Sequence, residues 1–243
     1  MGAELLPWVF TSGWASGVNA YAVVLLLGLF GRFGHVAEVP ASLERTDVLA
    51  AAAIMFAIEL VADKIPYVDS AWDSIHTVVR PVIGAALAAL LAGDAGTLGQ
   101  ALAAGVGGAA ALASHSVKAG LRLAVNTSPE PASNVAESAG EDLTVAGVIS
   151  LAVVQPWLAA ALAAVLLATG IALVVVLWRR VQLARRRWRA RRDGRARASA
   201  NGGRAARSGA WVGSDRNHAT NPAEGRDVGG SDPAGSDRRA SSA

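Results

Sequence analysis

The sequence predicts an all-α, polytopic transmembrane helical bundle, with about four full spans plus two half-length or broken segments (or six spans), and a disordered basic C-terminal tail. Three observations predict this. Of 243 residues, 53% are hydrophobic and only 17% charged, and the apolar share is Ala, Leu and Val rather than aromatic. Residues 9–31, 48–58, 81–93, 95–114 and 143–178 carry no charge, and the last run exceeds the ~20 residues that cross a hydrocarbon core of ~30 Å. Charge also divides the chain. Residues 1–178 hold six basic and thirteen acidic residues, whereas residues 179–243 hold sixteen basic and six acidic, so two regions face different solvents.

Several function classes drop out at once. Cysteine is absent, which removes disulfides, thiolate metal sites and a Cys nucleophile. There is no HExxH, GxSxG or Walker pattern, so an enzyme is the least expected of the functions weighed below, and no cofactor is expected. No basic residue precedes the first apolar run, so it reads as a retained span rather than a cleaved leader.

Met1 to Ser12 is a short lead with Trp8 and Phe10, suited to an interface. Trp14 to Gly31 is the first span, with Asn19 and Tyr21 as polar insertions, and Arg32 to Thr46 is a loop. Asp47 suits the N-cap of a helix over Val48 to Asp63. Pro66 and Pro81 bracket the next segment, and breaks are expected near both. Inside the bracket Val68, Trp72, Ile75 and Val79 form one helical stripe, and Asp69, Asp73, His76 and Arg80 repeat the spacing one residue along. That pattern fits a helix lying in the headgroup region with its charges in water. It equally fits a polar cluster pointing into the bundle.

Residues 81–93 are about half a bilayer long, Gly93 to Gly96 is a turn, and Thr97 to Ser114 is a helix of small residues. Gly107 with Ala103 and Ala111, and Gly108 with Ala104, make faces that let helices approach closely. A second polar stretch carries His115, Lys118, Arg122, Asn134, Glu137, Glu141 and Asp142. Residues 143–155, again half a bilayer long, stop at Pro156, and Trp157 to Trp178 is a full span. A short segment beside a polar stretch in each half points to a site built from broken helices. Glu59 with Asp63, and Glu137 with Glu141, place acids four apart, on one helical face. Only Lys64 and Lys118 among 22 basic residues are lysine, one per polar stretch, which suggests positions that want a compact ammonium.

Ten arginines and one acid fall in residues 179–197, as expected for a cytoplasmic flank that binds anionic lipid headgroups. Topology and lipid anchoring account for this run without nucleic acid. Residues 198–243 are rich in Gly, Ser, Asp and Arg and cannot bury a core, so disorder is expected there. With the tail inside, six segments put both termini inside, and Lys64, Arg80, Lys118 and Arg122 fall on the cytoplasmic side of a bacterial plasma membrane.

The run Glu59-x-x-Ala62-Asp63-Lys64-x-Pro66-x-x-Asp69-x-x-Trp72-Asp73-x-Ile75-x-Thr77-x-x-Arg80-Pro81 resembles the signature of the bacterial membrane family called domain of unknown function 4126. His115-x-x-Lys118-Ala119-x-x-Arg122 and Ser133-Asn134…Ser138-x-x-Glu141-Asp142 resemble its second motif, and the likeness covers about residues 12–178. It implies an integral membrane protein of unestablished activity. A looser likeness runs to cation/proton exchangers bearing Glu-x-Gly-Asp-Lys-Ser/Thr. Here the two acids stand one residue further apart, Ala62 replaces the glycine and Ile65 the hydroxyl residue.

Three functions fit these residues. In a small transporter or ion-translocating protein, Glu59, Asp63, Asp69, Asp73, Glu141 and Asp142 bind a cation or relay protons, with Lys64 and Lys118 neutralising the empty site. In a scaffold, the same charges pair to tie helix ends together. In a membrane enzyme, Asp69, Asp73 and His76 hold a metal. The expected partners are the lipid bilayer, anionic headgroups, a cation or proton, and further copies in a homo-oligomer. Convergence of the two polar stretches on one buried centre would favour the first function. Pairing between sequence neighbours would favour the second.

Overall fold

A computed structural model describes the backbone of residues 4–65, 68–125 and 131–214. Among these, the side chains of Ser70, Ala124, Val125, residues 131–134, Glu137 and residues 195–214 are not described. Asn134, Glu137, the break expected at Pro66 and the tail beyond Ser214 therefore lie outside the description.

The described residues form six helices and one short 3-10 turn, with no strand among them: α1 (Leu5–Gly34), α2 (Thr46–Ala62), α3 (Val68–Leu91), the turn at Gly93–Ala95, α4 (Gly96–Val125), α5 (Pro131–Val154) and α6 (Pro156–Ser214). Four segments are long and apolar enough to cross a membrane: Leu5–Gly34, Ala71–Leu91, Gly93–Leu123 and Pro156–Gly194. α2 and α5 complete the six.

The sequence segments survive, but their bounds change. Residues 81–93 are not a separate half-span; they finish α3, whose polar first half carries the helix to full length. Residues 143–155 likewise finish α5. Pro81 sits inside α3 without ending it. The helix is held on both sides of the proline, by the partners of Arg80 before it and the contact of Gly84 with Gly107 after it. Membrane helices tolerate proline where neighbours support the interrupted backbone in this way. Pro156 does divide two helices, occupying the first position of α6, where its missing N–H costs nothing. Asp47 is not the N-cap of α2, a position held by Arg45. It lies in the first turn, accepts a hydrogen bond from Val48 N and pairs with Arg45 at 2.7 Å in solvent.

α1 is the centre of the bundle, packed by α2, α3, α4 and α5. Its buried Trp8, Trp14, Val23 and Leu27 meet Leu87, Leu91, Val145 and Ile149. Backbones come close where side chains vanish. A Cβ on Gly13 would lie 2.6 Å from Gly107 O, and one on Gly107 would lie at the same distance from Gly84 O, so α1, α3 and α4 meet through three glycines. The small face expected at Gly107, Ala103 and Ala111 is thus buried against two helices. The exposed surface is apolar instead. Ile54, Val78, Val82, Leu98, Leu143 and Val165 are each more than half exposed, which suits lipid rather than water.

α6 crosses the boundary between two compact units, residues 1–183 and 184–243. In the second unit residues 184–194 are exposed throughout, and the Arg192 guanidinium lies 5.7 Å over the Trp188 ring. The helix is described to Ser214, and the composition of residues 198–243, on which the expectation of disorder rests, offers no core of its own.

Candidate functional site

The site begins with a break in α1. Asn19, fifteenth of its thirty residues, has φ −148° and ψ 97°, which is not helical. Such a break leaves carbonyls of the preceding turn without their usual amide partners. Side chains from other helices take them. Arg80 Nη1 donates to Gly17 O at 3.2 Å and Lys118 Nζ to Val18 O at 3.1 Å, while one turn earlier, before the break, Ser114 Oγ donates to Trp14 O at 2.7 Å. On the far side Asn19 Oδ1 accepts from Ala22 N at 2.9 Å, capping the second half-helix, while its Nδ2 donates to Asp142 Oδ1 at 2.9 Å. The cations therefore sit at the negative end of one half-helix, and Asp142 near the positive end of the next.

Around this break the two polar stretches converge. α3 turns Asp69, Asp73, His76 and Arg80 inward, all nearly or fully buried, and leaves Val68, Ile75 and Val78 on the outside. The stripe pattern was therefore legible, and the inward reading of it holds. α4 runs antiparallel and presents Ser114, His115, Lys118 and Arg122, one helical face at steps of three and four.

Arg80 donates to Glu59 Oε1 at 2.5 Å and stands 3.7 Å from Asp73 Oδ1. Lys118 bonds Asp63 Oδ2 at 3.1 Å and Glu141 Oε2 at 2.8 Å. Arg122 reaches Asp63 through both terminal nitrogens, Asp73 Oδ2 at 2.9 Å and Glu141 Oε2 at 3.5 Å. Three cations thus face four carboxylates, with partners on separate elements rather than sequence neighbours. Such groups are too costly at membrane depth to be left unpaired.

Hydrogen bonding fixes the histidines. An arginine can only donate, so the 2.9 Å contact from Arg80 Nη1 makes His115 Nδ1 an acceptor. His115 is then neutral and carries its proton on Nε2, which faces Asp73 O at 3.2 Å and Thr77 Oγ1 at 3.1 Å. Thr77 is free to accept there, because its own hydroxyl donates to Asp73 O. His76 donates from Nδ1 to Trp72 O at 2.8 Å, stacks on Trp72 at 4.6 Å and meets the Tyr21 hydroxyl through Nε2 at 3.1 Å.

Some expectations need correction. Lys64 does not join the network: its ammonium is partly exposed and donates to Leu60 O at 2.7 Å, so of the two lysines only Lys118 lies in the cluster. Arg80, Lys118 and Arg122 are buried bundle residues rather than loop charges, so they do not report topology by the positive-inside rule. Asp69, Asp73 and His76 do not share a metal centre. Asp73 is turned to Arg122 and Arg80, His76 to Tyr21, and among the described residues no three His, Asp or Glu side chains are placed to hold a metal ion.

Sequence reading also missed partners. Asn19, Tyr21, Thr77 and Ser114 all belong to the network. The available signal was the pair Asn19 and Tyr21 inside an otherwise apolar span. Replacing Asn19 with Ala removes both the cap and the tie to α5. We expect the apparent unfolding free energy of the purified protein in micelles to fall by about 1–2 kcal/mol. An unchanged transition would show that the kink stands without its side chain.

A helical bundle with its charges inside and its apolar faces outside is a polytopic integral membrane protein. This chain belongs to the family described as Domain of unknown function (DUF4126), whose model matches residues 6–176. No curated protein and no solved structure matches it.

Proposed function

We propose that this chain is a small ion-translocating membrane protein whose working part is the network around the α1 break. One observation carries the reading: in the buried cluster the carboxylates of Glu59, Asp63, Asp73 and Glu141 outnumber the cations Arg80, Lys118 and Arg122. Fully ionised, that set leaves an uncompensated buried negative charge, which a proton or a small cation would neutralise. Glu59 Oε2, buried and without a hydrogen-bond partner among the described residues, is the oxygen best placed to take a proton. An unwound helix at mid-length, with its carbonyls held by side chains that could release them, is the usual setting for such a site. Asp73 lies near the start of its span, and Arg80 is about 10 Å further along the axis, so the network leads inward from one end of the bundle.

A second reading, a salt-bridged scaffold, is favoured by the saturation of Lys118, whose three N–H groups meet Val18 O, Asp63 and Glu141. Under either reading the tail lies on the cytoplasmic side, and its arginines hold anionic headgroups. Flux in proteoliposomes separates the two. Protons and monovalent and divalent cations are tested with the native chain, Asp63→Asn and Lys118→Ala. Translocation predicts flux of at least one ion, cut by about tenfold or more in both variants. Absence of flux for every ion, with both variants only less stable, would leave the scaffold.

A further inference from the structure

Between α1, α4, α5 and α6 lies a cavity of about 320 Å³ that the ion network does not fill. That volume is at the small end of sites for organic ligands. Its walls are apolar, formed by Trp14, Val18, Leu121, Leu166 and Leu167, and its polar end is formed by Lys118, Glu141, Ser114 and Thr144. The polar end has a definite sense. The Lys118 ammonium has already met three acceptors, so it has no hydrogen left for an anion. Both hydroxyl protons are also committed, Ser114 to Trp14 O and Thr144 to Gly140 O at 2.7 Å. Lys118 and Arg122 both approach Oε2 of Glu141, a carboxylate that is 18% exposed on the cavity wall. The cavity therefore offers hydrogen-bond acceptors at one end, among them the Glu141 carboxylate paired with Lys118 and Arg122, and an apolar slot at the other.

We infer that this cavity binds a lipophilic amine in its protonated form, with Glu141 as counter-ion and the apolar walls around its hydrocarbon part. The excess of carboxylates in the adjoining network favours a cation over an anion or a neutral chain. The inference rests on the reading of that network as a working site, and it names the class of ligand that reaches it from the lipid-soluble side.

The test is equilibrium binding to the full chain in lipid nanodiscs, with labelled n-octylammonium and octanesulfonate as probes of equal length and opposite charge. Octylammonium is expected to bind saturably and octanesulfonate not. Glu141→Gln should weaken octylammonium by about tenfold or more. Because loss of an ion pair can also loosen the bundle, a second variant fills the slot without touching a charge. A Cβ on Gly140 has no heavy atom within 4 Å, so Gly140→Leu should keep the native melting temperature and abolish saturable binding. Equal binding of both probes would mean that an acyl chain of the bilayer is the occupant. Binding indifferent to Gly140→Leu would place it elsewhere. Either result overturns the proposal. Ion flux measured without octylammonium keeps the two readings apart: flux without binding removes only the cavity's ligand, and binding without flux removes only translocation.

Discussion

Replacing Arg80 with Leu should lower the stability of the bundle by about 3–5 kcal/mol, the range for removing one partner of a buried ion pair. Arg80 is fully buried, and its guanidinium serves Glu59, Gly17 O and His115 Nδ1 at once. Leu would leave a buried carboxylate, a carbonyl exposed by the α1 break and an imidazole acceptor all unpaired, in a place where water cannot replace the lost donors. Arg80→Lys should fall between, because one ammonium cannot reproduce the planar fork that spans three acceptors on α1, α2 and α4. The pairing makes a sharper claim. Glu59→Gln removes the charge that Arg80 neutralises, so the double variant Glu59→Gln with Arg80→Leu should recover part of what Arg80→Leu loses. Thermal or denaturant unfolding of the purified protein measures all four forms. Strict additivity of the two single changes would mean that the 2.5 Å contact carries no coupling.

Why the sequence showed some of this and not the rest follows from which facts are local. The two stripes of α3 are a property of 3.6-residue periodicity, and Val68, Trp72, Ile75 and Val79 can be read without any neighbour. Which stripe faces inward is not local, since it depends on α4 carrying His115, Lys118 and Arg122 to meet Asp73 and Arg80. The acids four apart at Glu59 and Asp63 did mark the network's α2 edge. Proline chemistry led to the wrong break: Pro81 is carried through by its surroundings, whereas Asn19, a residue with no strong local ban on helix, is where α1 unwinds. A side chain that can replace lost backbone bonds permits such a break, and Asn19 does so on one side while Arg80 and Lys118 do so on the other. Those two donors lie more than sixty residues away in the chain, beyond the reach of any window on α1.

The three-glycine crossing gives the other large effect, and it can be tested within one helix. Gly107→Leu should prevent the native bundle from forming. Its Cβ would press on Ala88 Cβ and on Gly84 O, and the second of these is backbone, which can yield only if α3 and α4 separate. Separation would also pull Arg80 and His115 apart, because they face each other across the same pair of helices. Packing loss and ion-pair loss would then add, to well over the ~1–3 kcal/mol typical of one overpacked side chain. Gly105 is the control, two residues away. A Cβ there meets nothing within 4 Å, so Gly105→Leu should be neutral or slightly stabilising, by about 0.5–1 kcal/mol from helix propensity alone. Yield and monodispersity in detergent, followed by melting, read the difference between the two. If Gly107→Leu purified and melted like Gly105→Leu, α3 and α4 would not touch through Gly84 and Gly107, and the network that this contact holds in register would lose its frame.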